Sequence, residues 1–175
     1  MNGCKIMIFI KRKLKNFGAL ELLVISSIIY VTSMLLWTAS TRSAVLEKSN
    51  LIKENHKNVV DFMNDQVNKC SSDENSLTAW GEKCLANWSS DQIVVYLINN
   101  VNLKNPYELK NALIQTSSDP RIQAEGKAGQ STDKGIIFVS SGDFSSEVGS
   151  EWIIGTCIKS PCVAAGNNEL ISIYR

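Results

Sequence analysis

Residues 17–37 read FGALELLVISSIIYVTSMLLW, an apolar run interrupted by one carboxylate, Glu21, and a few small hydroxyls. At about 1.5 Å per residue the run reaches roughly 30 Å as a helix, the thickness of a bilayer's hydrocarbon core. It therefore reads as a single membrane span. Ahead of it, MNGCKIMIFIKRKLKN carries Lys5, Lys11, Arg12, Lys13 and Lys15 and no acid. That bias holds the N-terminus on the cytoplasmic side and sends the following chain across the membrane. A carboxylate one turn inside a span is costly unless paired, which makes Glu21 the residue to explain.

Phe17-Gly18-Ala19-Leu20-Glu21-Leu22-Leu23-Val24, behind a short basic leader, resembles the start of type IV pilins and pseudopilins. Mature chains of that family begin with Phe or Met, carry Glu at the fifth position and continue with Leu and Val. The resemblance implies an α+β type IV pilin fold, a long N-terminal helix with one half protruding and the other packed on a small antiparallel sheet. It also implies leader cleavage between Asn16 and Phe17 by a membrane prepilin peptidase, N-methylation of Phe17, and an inner-membrane assembly platform as partner. The product that the resemblance implies is a filament of pilin subunits, pilus or secretion pseudopilus, at the cell surface or in the periplasm. On this resemblance, within a bundle of spans the Glu21 carboxylate is expected to pair with a neighbour's Phe17 ammonium and set the axial register, while apolar helix surfaces supply the packing.

Asn16 stands where the family nearly always has Gly. It supports a second reading, an uncut single-pass inner-membrane protein that presents a periplasmic interaction module on a helical stalk. Further along, Asn55–Cys70 (NHKNVVDFMNDQVNKC), Lys104–Glu108 (KNPYE) and the closing Cys157-x4-Cys162 resemble pilin-type subunits of marine bacteria.

The chain divides into a basic leader at 1–16, the span at 17–37, an amphipathic helix at 38–69 and a head at 70–175. Its 175 residues carry a net charge of +1. Removing residues 1–16 leaves 13 basic and 17 acidic residues, a net −4. The basic residues are dispersed with no aromatic-basic patch, so nothing indicates a nucleic-acid surface. A secretory signal peptide fits poorly, because the apolar run exceeds a signal core; Thr38-Ala39-Ser40 is the nearest cleavage pattern.

Cys4 lies in the leader, whereas Cys70, Cys84, Cys157 and Cys162 all lie beyond the span. An even number in an exported domain points to disulfides, with local pairing of Cys70 with Cys84 and Cys157 with Cys162 expected. The spacing lacks any Cys-x-x-Cys pair, which argues against a thiolate metal site.

Ala19 to Trp80 holds neither Gly nor Pro, so the helix is expected to continue beyond the membrane to about Lys69, roughly 80 Å in all. Val45, Ile52, His56, Val59, Met63 and Val67 fall on one face, widened by Val60 and Phe62. His56, the sole histidine, reads as a core residue with its ring nitrogens satisfied by the domain. Ser90-Asp91 reads as the cap of a second helix ending at Asn105-Pro106-Tyr107. A short helix over Glu108–Gln115 is expected next, then a mobile surface loop over Ser117–Lys134. Gly135–Ser140, Glu151–Ile158 and Glu169–Tyr174 read as three antiparallel strands covering the outer half of the long helix.

No catalytic constellation emerges, so no enzymatic activity and no cofactor are expected. There is one histidine, no Gly-x-Ser-x-Gly elbow and no Walker spacing around Gly126–Thr132. Asp133, Asp143 and Glu147 form a loose acidic group in loops, a possible cation site but more simply solvated acids.

Overall fold

The structure, a computed structural model, describes residues 18–107, 112–125, 134–141 and 151–175. The chain divides into two compact units, Met1–Val45 and Leu46–Arg175. One helix, α1 (Ala19–Ser72), contributes to both. Helix α2 (Ser90–Asn100), strand β1 (Ile114–Thr116), helix α3 (Pro120–Glu125) and strands β2 (Ile137–Ser141), β3 (Glu151–Cys157) and β4 (Asn168–Tyr174) follow. The architecture is α+β.

In the first unit α1 is long and apolar enough to cross a membrane. Every described side chain there is exposed, Leu36 at 73% and Trp37 at 70% among them. Its hydroxyls fold back onto the helix: Ser26 donates to the Leu23 carbonyl at 2.9 Å, Ser27 to Val24 at 2.8 Å and Ser33 to Ile29 at 2.7 Å. In hydrocarbon such bonds remove the penalty of an unpaired hydroxyl. Val45, expected on the buried stripe, is 52% exposed and belongs to this first unit.

In the second unit the stripe is buried. Ile52, Val59, Met63 and Val67 are covered, with Val60 and Phe62 packed at the margin. Val59, Met63 and Val67 meet Ile137 and Val139 of β2, Trp152 and Ile154 of β3, Ile173 of β4 and Ile114 of β1 in one cluster. Ile93, Val94 and Leu97 of α2 join it. A period of 3.6 on the helices and of two on the strands thus converges on a shared apolar layer.

The described strands form one sheet in the order β1-β2-β3-β4. Strands β2, β3 and β4 are the expected antiparallel meander, with Val139 opposite Ile154 and Ile154 opposite Ile171. Strand β1 pairs parallel to β2, Ile114 opposite Ile137, so the sheet is mixed and not wholly antiparallel. This corrects the expected helix at Glu108–Gln115, of which residues 108–111 lie outside the described residues. Ile114 is buried where Thr116 is exposed. Burial thus falls off along β1, and it is Ile114, at its start, that joins the apolar layer.

Helix α2 also differs at both ends. Ser89 is its N-cap, and its backbone N–H donates to the Glu82 carboxylate at 3.2 Å. The helix stops at Asn100, short of Pro106, where Asn99 and Asn100 donate their side-chain amides to the carbonyls of Val95 and Tyr96. Such local bonding suits a helix end.

Part of the segment expected as a mobile loop is ordered. Pro120–Glu125 forms α3, with Pro120 and Ala124 buried against the other face of β3. Gly155 permits the approach: a Cβ there would stand 2.6 Å from the Pro120 carbonyl oxygen and 2.8 Å from the Ala124 Cβ. Asp119 Oδ1 caps α3 by accepting the Arg121 N–H at 3.0 Å. Gly155→Val is expected to lift α3 from the sheet and to lower unfolding stability by roughly 1–3 kcal/mol, the usual cost of overpacking. Chemical denaturation followed by tryptophan fluorescence measures it.

Candidate functional site

At the start of α1, Gly18 precedes the first helical residue and Glu21 occupies the first turn. Glu21 Oε2 accepts a hydrogen bond from the Gly18 backbone N–H at 3.0 Å. This is the reciprocal half of a capping box, in which a carboxylate reaches back to a backbone donor that the helix leaves unpaired. Negative charge also suits the positive end of the helix dipole. Around it lie the exposed side chains of Leu20, Leu22, Leu23 and Val24. The site is a carboxylate, held by its own backbone, at one end of an uncovered apolar helix. Asn16 and Phe17, the expected cleavage and methylation positions, lie outside the described residues, as do Asp133, Asp143, Glu147 and the Gly126–Thr132 segment.

Two disulfides fasten the second unit. Cys70–Cys84 ties the last turn of α1 to the loop before α2, and Cys157–Cys162 closes the β3–β4 connection. Within the first loop the Thr78 hydroxyl donates to the Glu82 carbonyl at 3.0 Å and accepts the Glu82 N–H at 3.0 Å, and Gly81 supplies a φ of 91°. Loss of Cys70–Cys84 by paired serine substitution is expected to lower stability by about 3 kcal/mol, from the loop it closes. Urea titration of the two forms checks this.

His56 differs from expectation. It is 2% exposed, and neither ring nitrogen has a hydrogen-bond partner among the described residues. Desolvation lowers its pKa from 6.5 to about 4, so the ring is neutral at physiological pH. Its neighbour Asn55 is buried and satisfied: Nδ2 donates to the Lys104 carbonyl at 2.7 Å, and Oδ1 accepts the Lys104 N–H at 3.3 Å. The amide fixes the chain after α2 to α1, while the histidine beside it fills apolar space.

The unfolded chain binds a proton at His56 below pH 6.5, and the folded chain does so only near pH 4. Stability from this residue is therefore complete above pH 6.5 and is lost as pH falls toward 4, by about 3 kcal/mol at most. His56→Leu should flatten that part of the stability–pH profile. An unchanged slope in the variant would assign the acid sensitivity to other groups.

Among the described residues no cluster of three or more His, Cys, Asp or Glu is arranged to hold a metal ion. No family model, no curated protein and no solved structure matches this chain. The aromatic group of Phe62, Trp80, Trp88 and Tyr96 has no signature in the sequence. Phe62 reads as core from its helical spacing, and Trp80 and Tyr96 lie in separate segments with no shared periodicity. The fold gathers them beside α2.

Proposed function

We propose that this chain is a pilin-like structural subunit, made as a membrane-anchored precursor and polymerised through α1. The supporting observation is the uncovered apolar surface of α1 from Ala19 to Trp37, which starts beside a single carboxylate and continues as the helix that anchors a disulfide-bonded head. Such a surface needs lipid before assembly and other helices afterwards. The resemblance of Phe17–Val24 to type IV pilins supports the same reading. In it, cleavage after Asn16 frees the Phe17 amine, and Glu21 of one subunit pairs with that amine on another.

The uncut, single-pass module is the second reading. It is favoured by the hydrogen bond from Gly18 to Glu21, which satisfies the carboxylate within its own chain, and by Asn16 at the cut. Two substitutions separate the roles of Glu21. Glu21→Ala removes both cap and charge; the precursor is expected to stay in the membrane while filaments are lost. Glu21→Gln keeps an acceptor for the Gly18 N–H and removes the charge. Loss of filaments in both variants, by electron microscopy of sheared cells, supports ion pairing between subunits. Normal filaments from Glu21→Gln would reduce the residue to a helix cap. N-terminal mass spectrometry is the parallel measurement: N-methylated Phe17 in sheared material supports the filament, and Met1 retained in the membrane fraction supports the anchored module.

A further inference from the structure

An open groove of about 470 Å³ runs along α2 in the head, within the usual range for small-molecule sites. Trp80 and Tyr96 supply its aromatic surface, and Asp91, Gln92, Asn99 and Asn100 supply its polar border. We propose that this groove binds a neutral pyranose unit of a saccharide. The inference concerns the head alone and holds whether the chain polymerises or stays anchored.

The aromatic surface is held in place. Trp80 Nε1 donates to Glu82 Oε2 at 2.7 Å, and the same carboxylate oxygen accepts the Ser89 N–H. The Trp80 ring meets Trp88 edge-on, with centroids 5.0 Å apart and planes at 84°. Tyr96 stacks on Phe62 at 5.6 Å and 21°, and Phe62 also leans on Trp80 at 6.4 Å. Both half-buried rings are thus backed by other aromatic groups, so a ligand that lies on them pays little ordering entropy. Val95, 59% exposed, adds apolar surface between the polar residues.

The border is rich in acceptors. Asn99 and Asn100 have their Nδ2 groups engaged by the carbonyls of Val95 and Tyr96 at 2.9 Å each. Their Oδ1 atoms and the Asp91 carboxylate therefore present lone pairs, while Gln92 brings both a donor and an acceptor. A matching ligand needs several hydroxyl donors beside a flat apolar C–H face. A pyranose ring has that arrangement, with hydroxyls at its rim and C–H groups on its faces. The exposed Asp91 charge disfavours carboxylated or sulfated sugars relative to neutral ones.

The test uses the full chain at one copy per lipid nanodisc, prepared without glycosidic detergent or glycolipid. Saturation-transfer NMR is run against a panel of neutral methyl hexopyranosides and N-acetylhexosaminides, with sialyllactose as the anionic probe. The expected result is saturation of ring C–H protons in at least one neutral glycoside, little in sialyllactose, and at least tenfold weaker binding in Asp91→Ala and Trp80→Leu. Trp80 also packs inside the head, so Gln92→Ala, at an exposed position, serves as a further variant with far-UV circular dichroism as the folding check. The proposal is overturned if no neutral glycoside receives saturation at one copy per disc, if folded Asp91→Ala and Gln92→Ala both bind like the parent, or if sialyllactose binds equally well.

Discussion

Burial of one stripe of α1 against the inner face of the sheet is the contact on which the head depends. Val59, Met63 and Val67 are four residues apart, so their side chains lie one above another and present a ridge of β-branched and thioether groups. The sheet answers with Ile137, Val139, Trp152, Ile154 and Ile173, drawn from three strands, and Ile93, Val94 and Leu97 of α2 complete the same layer. Each large aliphatic side chain buried there contributes on the order of 1.5–3 kcal/mol. Cys70, one turn beyond Val67, carries the ridge into a covalent bond, and the aromatic loop from Trp80 to Trp88 closes over its end.

The same helix carries two different patterns of side chains. From Ala19 to Trp37 it is apolar around its whole circumference, and its hydroxyls are returned to backbone carbonyls. Beyond Leu46 only one stripe is apolar, and Lys48, Lys53, Lys57 and Asp61 stand outside it. The first pattern suits lipid or a ring of other helices; the second suits one sheet on one side and water on the other. No Gly or Pro divides them, so the helix carries its backbone hydrogen bonds through the change.

Glu21 and His56 meet opposite fates in their hydrogen bonding. Glu21 keeps a backbone donor, the Gly18 N–H, in the first turn of α1. His56 has lost solvent without gaining a partner, and its proton is displaced toward acid pH. A histidine on an apolar stripe is evident from spacing alone. Whether a carbonyl waits for its N–H depends on the chain that crosses over it, and that chain spends its polar contact on Asn55 instead.

Local pattern determined the long apolar helix, the 3.6-residue stripe of α1, the three strands of the meander and the local pairing of four cysteines, because each of these is written in contiguous residues whose periodicity or count is physical in itself. Helix α3 and strand β1 were not legible, since Pro120–Glu125 and Ile114–Thr116 are too short for periodicity to separate helix, strand and loop. Their state is decided by what they cover: α3 closes the face of β3 opened by Gly155, and β1 carries Ile114 into the core. The groove beside α2 is likewise tertiary. Phe62, Trp80 and Tyr96 come from a helix, a disulfide loop and a second helix, and only packing of those three elements brings their rings together.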